Sequence, residues 1–222
     1  MTTDMKAYAV LEECENTGGV VFAKHAIVAR KMGANEYNGG EFDGVSCRRA
    51  PWADKYFGMD VPVRAMVENG WHFECDYCGS RIDEDYLADT RRAVDGVIGT
   101  QHSMAYCDKD CARHGISIRR RRKEREAEAI SAFTAIVVRR FPEAVPADGW
   151  KPHAHVSHAS GGPGWHWHDV EVAVTLPTLT YPVTFRTVRV PGNTIGPRKA
   201  GYFCSAIDRE AFETYVREHP RP

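Results

Sequence analysis

The sequence has no long hydrophobic run and almost no net charge, and each absence excludes a class of protein. No apolar stretch approaches the roughly 18 residues that a membrane-spanning helix needs. The first residues do not show a charged segment followed by an apolar one, which is the pattern of a secretory signal. A net charge of −1 and a pI near 6.8 argue against a protein whose whole surface binds a polyanion. We expect a cytoplasmic protein that does not contact membranes.

The composition that is present is that of an ordinary globular protein. Hydrophobic residues make up 43% of the chain and charged residues 27%, and 222 residues suffice for one large domain or two small ones. Three of the seven cysteines have no partner at the spacing of metal ligands, and we interpret them as small hydrophobic core residues. These three are Cys14, Cys47 and Cys204.

The other four cysteines form two closely spaced pairs. Cys75 and Cys78 form a C-x2-C motif, and Cys107 and Cys111 form a C-x3-C motif, a spacing typical of four thiolates around one tetrahedral Zn²⁺. Four thiolates leave no coordination position for water, so the predicted role of the zinc is structural. Two disulfides, or reduced cysteines in a core, are the alternatives. Three nearby histidines offer a minor variant in which one of them replaces a cysteine: His72, His102 and His114.

The segments around these cysteines resemble known zinc-binding folds. Gly79 follows the second cysteine directly and supplies the freedom for positive φ that a tight turn requires, so this half resembles a zinc knuckle. Residues 106–112 predict the start of a helix whose first turn carries the second pair. This arrangement is similar to treble-clef zinc fingers.

Apolar periodicity and turn signals predict an α+β protein. The expected parts are an N-terminal β-α unit at residues 1–70, a treble-clef-like zinc-binding module at 71–116, a connecting helix at 117–145, and a C-terminal β-rich domain at 146–222 with an antiparallel sheet and helices. The first part is predicted to contain strands at Tyr8–Glu13 and Val20–Lys24, a helix at His25–Tyr37, a strand at Val45–Ala50, and a helix that Asp60 caps and that runs to Glu68. The last part is predicted to contain strands at Ala154–Ser157, Trp165–Leu176, Val183–Val190 and Tyr202–Ile207, then a helix at Arg209–Glu218 that Asp208 caps.

Two groups of cations are candidates for contact with nucleic acid. Five of them open the connecting helix: Arg119, Arg120, Arg121, Arg122 and Lys123. A basic helix beside a zinc site suits phosphate contacts, whereas a solvated helix with Arg120–Glu124 and Arg122–Glu126 ion pairs is the alternative. The other group combines Arg48 and Arg49 with Trp52 and Tyr56 and could stack a base or bind a phosphate. Its alternative is an exposed loop whose aromatic side chains pack on the core.

Five histidines in the C-terminal part form two H-x-H patterns and one further residue: His153, His155, His158, His166 and His168. On two paired strands they could bind a metal with an open, catalytic position. No general base or nucleophile clearly accompanies them, so we expect them not to be a catalytic centre.

Residues 18–40, 45–56 and 68–79 carry a resemblance to a known family. They read GGVVFAKHAIVARKMGANEYNGG, VSCRRAPWADKY and ENGWHFECDYCG. They resemble proteins encoded by bacteriophages and prophages in which an R-R-A-P segment precedes a G-W-x-F-x-C zinc knuckle. The resemblance covers about the first half of the chain and implies no activity. It implies a phage context, in which small proteins are often accessory or host-directed and include inhibitors of defence systems.

We therefore expect a non-catalytic phage accessory protein with a structural zinc ion. It would bind a host or phage protein or nucleoprotein complex in the host cytoplasm, and inhibition of a defence system such as CRISPR is one form of that role. A direct DNA- or RNA-binding zinc-finger protein is the alternative, and a metal-dependent enzyme that uses the C-terminal histidines is the third hypothesis. The sequence does not indicate an oligomeric state.

Overall fold

The computed structural model describes residues 5–158, 165–188 and 199–218. The fold is mixed α+β, as the sequence predicts. The chain divides into an N-terminal unit, residues 1–116, and a C-terminal unit, residues 117–222. In the described ranges, no helix is both long enough and apolar enough to cross a membrane.

A three-stranded antiparallel sheet and one helix open the N-terminal unit. The elements are β1 (Lys6–Glu12), β2 (Gly18–Ala23), α1 (Ala26–Tyr37) and β3 (Val45–Arg49), with strand order β2-β1-β3. Alternate residues of β1 face opposite sides of the sheet. Tyr8 and Val10 join the apolar cluster with α1, whereas Ala7 joins a second cluster on the other face. The predicted hairpin and helix are therefore present.

A 3-10 helix and α2 cover the second face of this sheet. The 3-10 helix spans Pro51–Tyr56, and α2 spans Val63–Val67. Pro62 is the N-cap residue of α2, so the prediction that Asp60 caps this helix is wrong. Pro62 has the extended backbone of an N-cap residue, with φ −64° and ψ 136°, and its carbonyl accepts a hydrogen bond from the Met66 N–H at 3.2 Å. Asp60 instead accepts a hydrogen bond from the Thr100 hydroxyl at 3.3 Å.

The rest of the N-terminal unit consists of short elements around the cysteines. They are β4 (Phe73–Glu74), β5 (Arg81–Ile82), α3 (Glu84–Asp89), a 3-10 helix at Val94–Gly96 and the start of α4 (Lys109–Arg140). The Gln101 side chain connects this region to the sheet: its Oε1 accepts from the Val20 N–H at 2.6 Å, and its Nε2 donates to the Val20 carbonyl at 3.0 Å. The side-chain amide thus occupies the place of a neighbouring strand beside β2.

The C-terminal unit contains an antiparallel sheet with two helical segments packed on it. Its elements are the remainder of α4, β6 (Val145–Pro146), β7 (His153–His158), β8 (Trp165–Thr175), β9 (Val183–Val188), β10 (Lys199–Phe203) and α5 (Arg209–Glu218). The strand order is β10-β9-β8-β6, and β7 also pairs with β8. Phe133 and Val137 of α4 and Phe141, directly after it, meet Phe212 and Tyr215 of α5 in one apolar cluster with the sheet. The expected sheet packed on two helices is therefore present.

Three details of this unit differ from the sequence predictions. The two-residue strand β6 was not predicted, and β10 begins three residues before the expected strand. The Asp208 carboxylate does not cap α5; its oxygens accept from the Thr180 and Tyr181 N–H groups at 3.1 and 2.8 Å. Residues 189 and 190, the end of a predicted strand, lie outside the described residues.

The isolated cysteines are only partly in the cores. Cys47 and Cys204 are half-buried and pack against apolar clusters. Cys14 is exposed, so its interpretation as a core residue is wrong. Cys14 lies in the turn after β1, and its N–H donates to the carboxylate of Glu12, the last residue of that strand, at 2.9 Å.

Candidate metal centre

The two cysteine pairs meet in one cluster. The sulfur atoms of Cys75, Cys78, Cys107 and Cys111 all lie within 4.8 Å of one another, and the Cys78 and Cys107 sulfurs are 3.5 Å apart. Tetrahedral zinc with Zn–S bonds of about 2.3 Å requires sulfurs roughly 3.8 Å apart. A disulfide needs about 2.05 Å, and all four cysteines are free. The cluster therefore has the donor set and spacing of a four-thiolate metal site, and the disulfide alternative is wrong.

The β4–β5 hairpin positions the first pair. Phe73 pairs with Ile82 and Glu74 with Arg81, so the chain reverses directly around the two cysteines. At this turn Gly79 has φ +69°, and its N–H donates to the Cys75 carbonyl at 2.9 Å. A left-handed backbone at this position favours glycine, as the sequence predicts.

The start of α4 positions the second pair. The Asp108 carboxylate accepts from the Asp110 and Cys111 N–H groups at 3.0 and 2.8 Å, which is an N-cap arrangement. Cys107 lies before the helix and Cys111 lies in its first turn, so the expectation that one helical turn carries both is only half right. The N-terminal end of a helix stabilises negative charge, which favours the thiolate form here.

Burial separates one cysteine from the other three. Cys75, Cys107 and Cys111 are buried, whereas Cys78 is exposed. The buried sulfurs lie in an apolar cluster with Ile82 and Leu87. A bound ion would therefore be shielded from water on most sides, as in a structural site.

Close packing of the four thiols makes their protonation states depend on one another. Burial opposes ionisation of Cys78, but hydrogen bonds from Ser80 and from the Cys75 and Cys107 thiols outweigh it and lower the Cys78 pKa to about 6. Burial raises the pKa of Cys107 and of Cys111, and hydrogen bonds to the neighbouring thiols raise them further. The pKa of Cys78 is thus lowered while those of Cys107 and Cys111 are raised. Four thiolates in this volume require a cation among them, which a divalent metal supplies.

Arg92 provides positive charge beside the cluster. Its Nε lies 3.5 Å from the Asp108 carboxylate. Burial opposes the charged form of Arg92, but the charges of Cys107, Asp108 and Cys111 outweigh burial and raise its pKa. A divalent metal with four thiolates carries a net charge of −2, so a neighbouring guanidinium offsets part of it. Arg92 and Asp108 were not predicted as part of the site; an aspartate just before a helix is a recognisable N-cap signal, but nothing local marks Arg92.

The histidines near the cluster do not join it. Among the described side chains, the group that could hold a metal consists of the four cysteines alone. His114 stacks on Tyr77 with ring centroids 5.2 Å apart, and the His102 ring lies 3.2 Å from the Gln101 amide. The predicted variant with a histidine ligand is therefore not the arrangement in the structure.

In the basic run of α4, Arg119 is half-buried and residues 120–123 are exposed, and only some of the run is paired. Arg120 lies 3.5 Å from Glu124, as predicted, and Arg125 pairs with Glu128 at 2.6 Å. The predicted Arg122–Glu126 pair is not among the ion pairs of the described residues. Within that part of the chain, three cations of the run have no ion-pair or hydrogen-bond partner: Arg121, Arg122 and Lys123. Between Gly115 and Ala129, α4 has no buried residue. The nucleic-acid role of Arg119 to Lys123 stays a prediction.

Arg48 and Arg49 differ although they are adjacent. The Arg49 guanidinium forms an ion pair with Asp54 and donates to the Ala7 carbonyl at 2.8 Å, so it helps to hold β1 against the following segment. Arg48 has no such partner among the described residues. Trp52 and Tyr56 pack against the apolar cluster on the second face of the sheet, as the alternative interpretation predicts.

The C-terminal histidines lie on paired strands. In the register of β7 and β8, His153 pairs with Glu171 and His155 with Asp169, and the register shifts between His155 and Val156. Asp169 lies 3.7 Å from Arg186. The side chains of the other three histidines lie outside what the structure describes: His158, His166 and His168. The expectation that these five histidines are not a catalytic centre stays a prediction.

Comparison with known proteins gave no significant match, whether to protein-family models, to curated proteins or to solved structures. The function therefore has to follow from the geometry of the site.

Proposed function

We propose that this chain is a non-catalytic binding protein built around a structural zinc ion, and that its partner is a nucleoprotein complex. The observation that carries the proposal is the cluster of four cysteine sulfurs within 4.8 Å of one another. Thiolates are soft ligands that suit zinc, and four of them close the coordination shell. A closed shell holds no reactive water, so the zinc organises the fold and does not act on a substrate.

The zinc part of the proposal is tested by elemental analysis of protein purified without chelator. We expect one zinc per chain, and loss of that zinc when Cys107 or Cys111 is replaced by serine. Protein that folds with no metal, or with iron in place of zinc, would contradict it.

The basic run of α4 supports a partner that contains phosphates. Arg121, Arg122 and Lys123 are exposed and without partners among the described residues, so their charges are available to a polyanion. Phosphate contacts by such residues release counterions and make binding strongly dependent on salt. This same feature favours direct DNA or RNA binding as the second candidate function.

The salt dependence of binding tests this part. Fluorescence anisotropy of labelled duplex DNA, single-stranded DNA and RNA gives the slope of the logarithm of affinity against the logarithm of salt concentration. We expect combined alanine substitution of Arg121, Arg122 and Lys123 to flatten this slope by about 0.9 per lost contact with B-DNA. A matched control removes three exposed cations elsewhere: Lys24, Lys31 and Arg139. Absence of any salt-sensitive binding by the unmodified protein would exclude the direct binder and leave a protein surface as the partner.

The resemblance to bacteriophage and prophage proteins supports a partner in an infected bacterium. We propose a phage or host complex in the host cytoplasm, with a nucleic-acid-guided defence complex such as a CRISPR effector as the specific candidate. The test is the efficiency of plating of a targeted phage on bacteria that express the protein. We expect plating to rise, and the variant without the three cations should not raise it. Unchanged plating with normal protein levels would remove the anti-defence role.

A further inference from the structure

A cavity lies on the face of the first sheet that α1 does not cover. Its volume is about 420 Å³, and its lining includes Ser46, Arg48, Trp52, Asn69, Trp71 and His72. Cavities that bind small molecules have volumes of about 300–1,000 Å³. The cavity is therefore large enough for a ligand with one ring system and a charged group.

The charge of this cavity is positive. Its described lining contains Arg48 and Arg49 and no carboxylate. Asp54 neutralises Arg49, but Arg48 is exposed and has no ion-pair or hydrogen-bond partner among the described residues. An arginine that no carboxylate engages binds phosphate through charge-assisted hydrogen bonds. The cavity therefore favours an anion.

Two tryptophans give the same cavity flat aromatic surfaces. Trp52 and Trp71 are half-buried and pack against the apolar cluster beneath them. Packing restricts their rotamers, and because both side chains line the cavity, their rings can stack with a planar ligand. The Asn69 amide nitrogen donates to the Ala65 carbonyl at 2.8 Å, which orients this amide and leaves its Oδ1 as an acceptor. An acceptor beside aromatic faces suits the exocyclic amine of a base.

We propose that this cavity binds a nucleoside monophosphate group, with the base stacked on the tryptophans and the phosphate bound by Arg48. The group is either a free nucleotide or the 5′-terminal nucleotide of a single strand. The site goes beyond the function proposed above, because it uses neither the cysteine cluster nor the cations of α4. The two arginines of the R-R-A-P segment then have different roles: Arg49 stabilises the fold and Arg48 binds the ligand.

Isothermal titration of the full, zinc-loaded chain tests the proposal with four probes: AMP, adenosine, inorganic phosphate and a 5′-phosphorylated tetranucleotide of deoxyadenosine. We expect AMP or the tetranucleotide to bind more tightly than adenosine or phosphate and to quench tryptophan fluorescence. Preference for AMP identifies a free nucleotide, and preference for the tetranucleotide identifies a strand end. Arg48→Gln should weaken binding about tenfold or more, the effect of losing one charge-assisted hydrogen bond. Lys31→Gln, which removes an exposed charge from α1, should leave it unchanged.

Three results would overturn the proposal. They are no binding of either nucleotide probe, equal binding of inorganic phosphate and AMP, or an Arg48→Gln variant with unchanged affinity. Arg48 is exposed, so its replacement should not prevent folding. Trp71→Leu, checked for folding by its zinc content, gives a second measurement in which the fluorescence change should diminish. The variant that lacks Arg121, Arg122 and Lys123 should still bind AMP, which separates this site from the phosphate contacts of α4.

Discussion

The two units of this protein have different interiors. In residues 5–116 of the N-terminal unit, apolar side chains form three separate clusters, and the one around the cysteines contains small residues such as Ala105, Ala112 and Val97. Among the described residues of the C-terminal unit, one cluster contains several large aromatic side chains, including Phe133, Phe141 and Phe185. Large aromatic side chains bury far more apolar area per residue than alanine or valine. The C-terminal unit can therefore rely on burial, whereas the cysteine region cannot.

The difference gives a physical reason for a cysteine cluster that could hold a metal ion in the first unit. Strands β4 and β5 have two residues each, and an isolated two-stranded hairpin is marginally stable at best in water. A structural zinc ion contributes about 10 kcal/mol or more to folding in small zinc-finger peptides. Four bonds to one ion can thus stabilise short segments that hydrophobic burial would leave unfolded.

The largest expected effect comes from breaking the metal site. Cys78→Ser leaves three thiolates, so we expect loss of the metal and of most of the stabilisation it provides, on the order of 10 kcal/mol. Amide hydrogen exchange followed by mass spectrometry should show rapid exchange across residues 73–111 and little change in the sheet of the C-terminal unit.

Cys14→Ser is the matched control, because Cys14 is exposed and does not belong to the cluster. This variant should keep its metal and its exchange pattern. A Cys78→Ser protein that retains one metal and melts like the unmodified protein would remove Cys78 from the ligand set.

A core truncation in the other unit should give the reverse pattern. Phe141 is 2% exposed, and its ring lies 5.5 Å from that of Phe185 and 5.8 Å from that of Tyr215. Replacing it with alanine should lower the free energy of unfolding of the C-terminal unit by about 3–5 kcal/mol. Metal content should stay at one ion per chain.

Phe203→Ala provides the comparison, since Phe203 is 65% exposed and buries little area. Denaturant unfolding monitored by hydrogen exchange should show a small effect for Phe203→Ala and a large one for Phe141→Ala. Similar losses in both would mean that the cluster around Phe141 is not the main source of stability in this unit.

Sequence reasoning succeeded where a feature depends on nearby residues. The cysteine pairs were recognisable because the spacing within each pair and the glycine after Cys78 determine the local turn. The helix α5 was predicted with the bounds it has in the structure, Arg209–Glu218, because its apolar residues recur at helical spacing.

Sequence reasoning failed where a feature depends on residues that are distant in the chain. Arg92 lies beside the cluster only because α3 and the following turn bring it toward Asp108, and no local pattern encodes that approach. The same is true of the cavity, in which Arg48 and Trp71 meet through folding of the sheet against the segment after α2. Asp208 was predicted as a cap from its position before a helix, but its carboxylate binds the turn at Thr180 and Tyr181 instead.

A smaller effect is expected from Gly115→Ala in α4. Alanine in a helix interior is ordinarily more stable than glycine by about 1 kcal/mol. A Cβ at Gly115, however, would lie 2.6 Å from the Tyr106 ring, which is 3% exposed and whose hydroxyl donates to Asp76 at 3.3 Å. Because overpacking costs about 1–3 kcal/mol, we expect a net loss of up to about 2 kcal/mol in the N-terminal unit.

Thermal unfolding of the metal-loaded protein measures this change. Ser131→Ala, at an exposed position of the same helix, should instead raise stability by a few tenths of a kcal/mol. A gain for Gly115→Ala equal to that of an unhindered helix would show that the Tyr106 ring can move aside.

The smallest expected effect is confined to acid pH and concerns Asp208 in the C-terminal unit. The Thr180 N–H lowers the Asp208 pKa, burial partly opposes this, and the Tyr181 N–H lowers it further. Since the folded pKa is below the unfolded value of about 3.9, this carboxylate stabilises the fold above that pH, and its contribution is lost as pH falls through the folded pKa.

Asp208→Asn cannot ionise but keeps one acceptor oxygen, so we expect a modest loss of stability at neutral pH and a weaker dependence of the unfolding free energy on pH below about 4. Urea unfolding at a series of pH values measures this slope, with Asp148→Asn, at an exposed position, as the control. At low pH the cysteines would bind protons in place of a metal, which would destabilise the N-terminal unit as well. Unfolding of the C-terminal unit should therefore be followed by the hydrogen exchange of amides in β9 and α5 alone. If the unfolding free energy of Asp208→Asn depends on pH below about 4 as strongly as that of the unmodified protein, the two backbone hydrogen bonds do not stabilise the charged carboxylate.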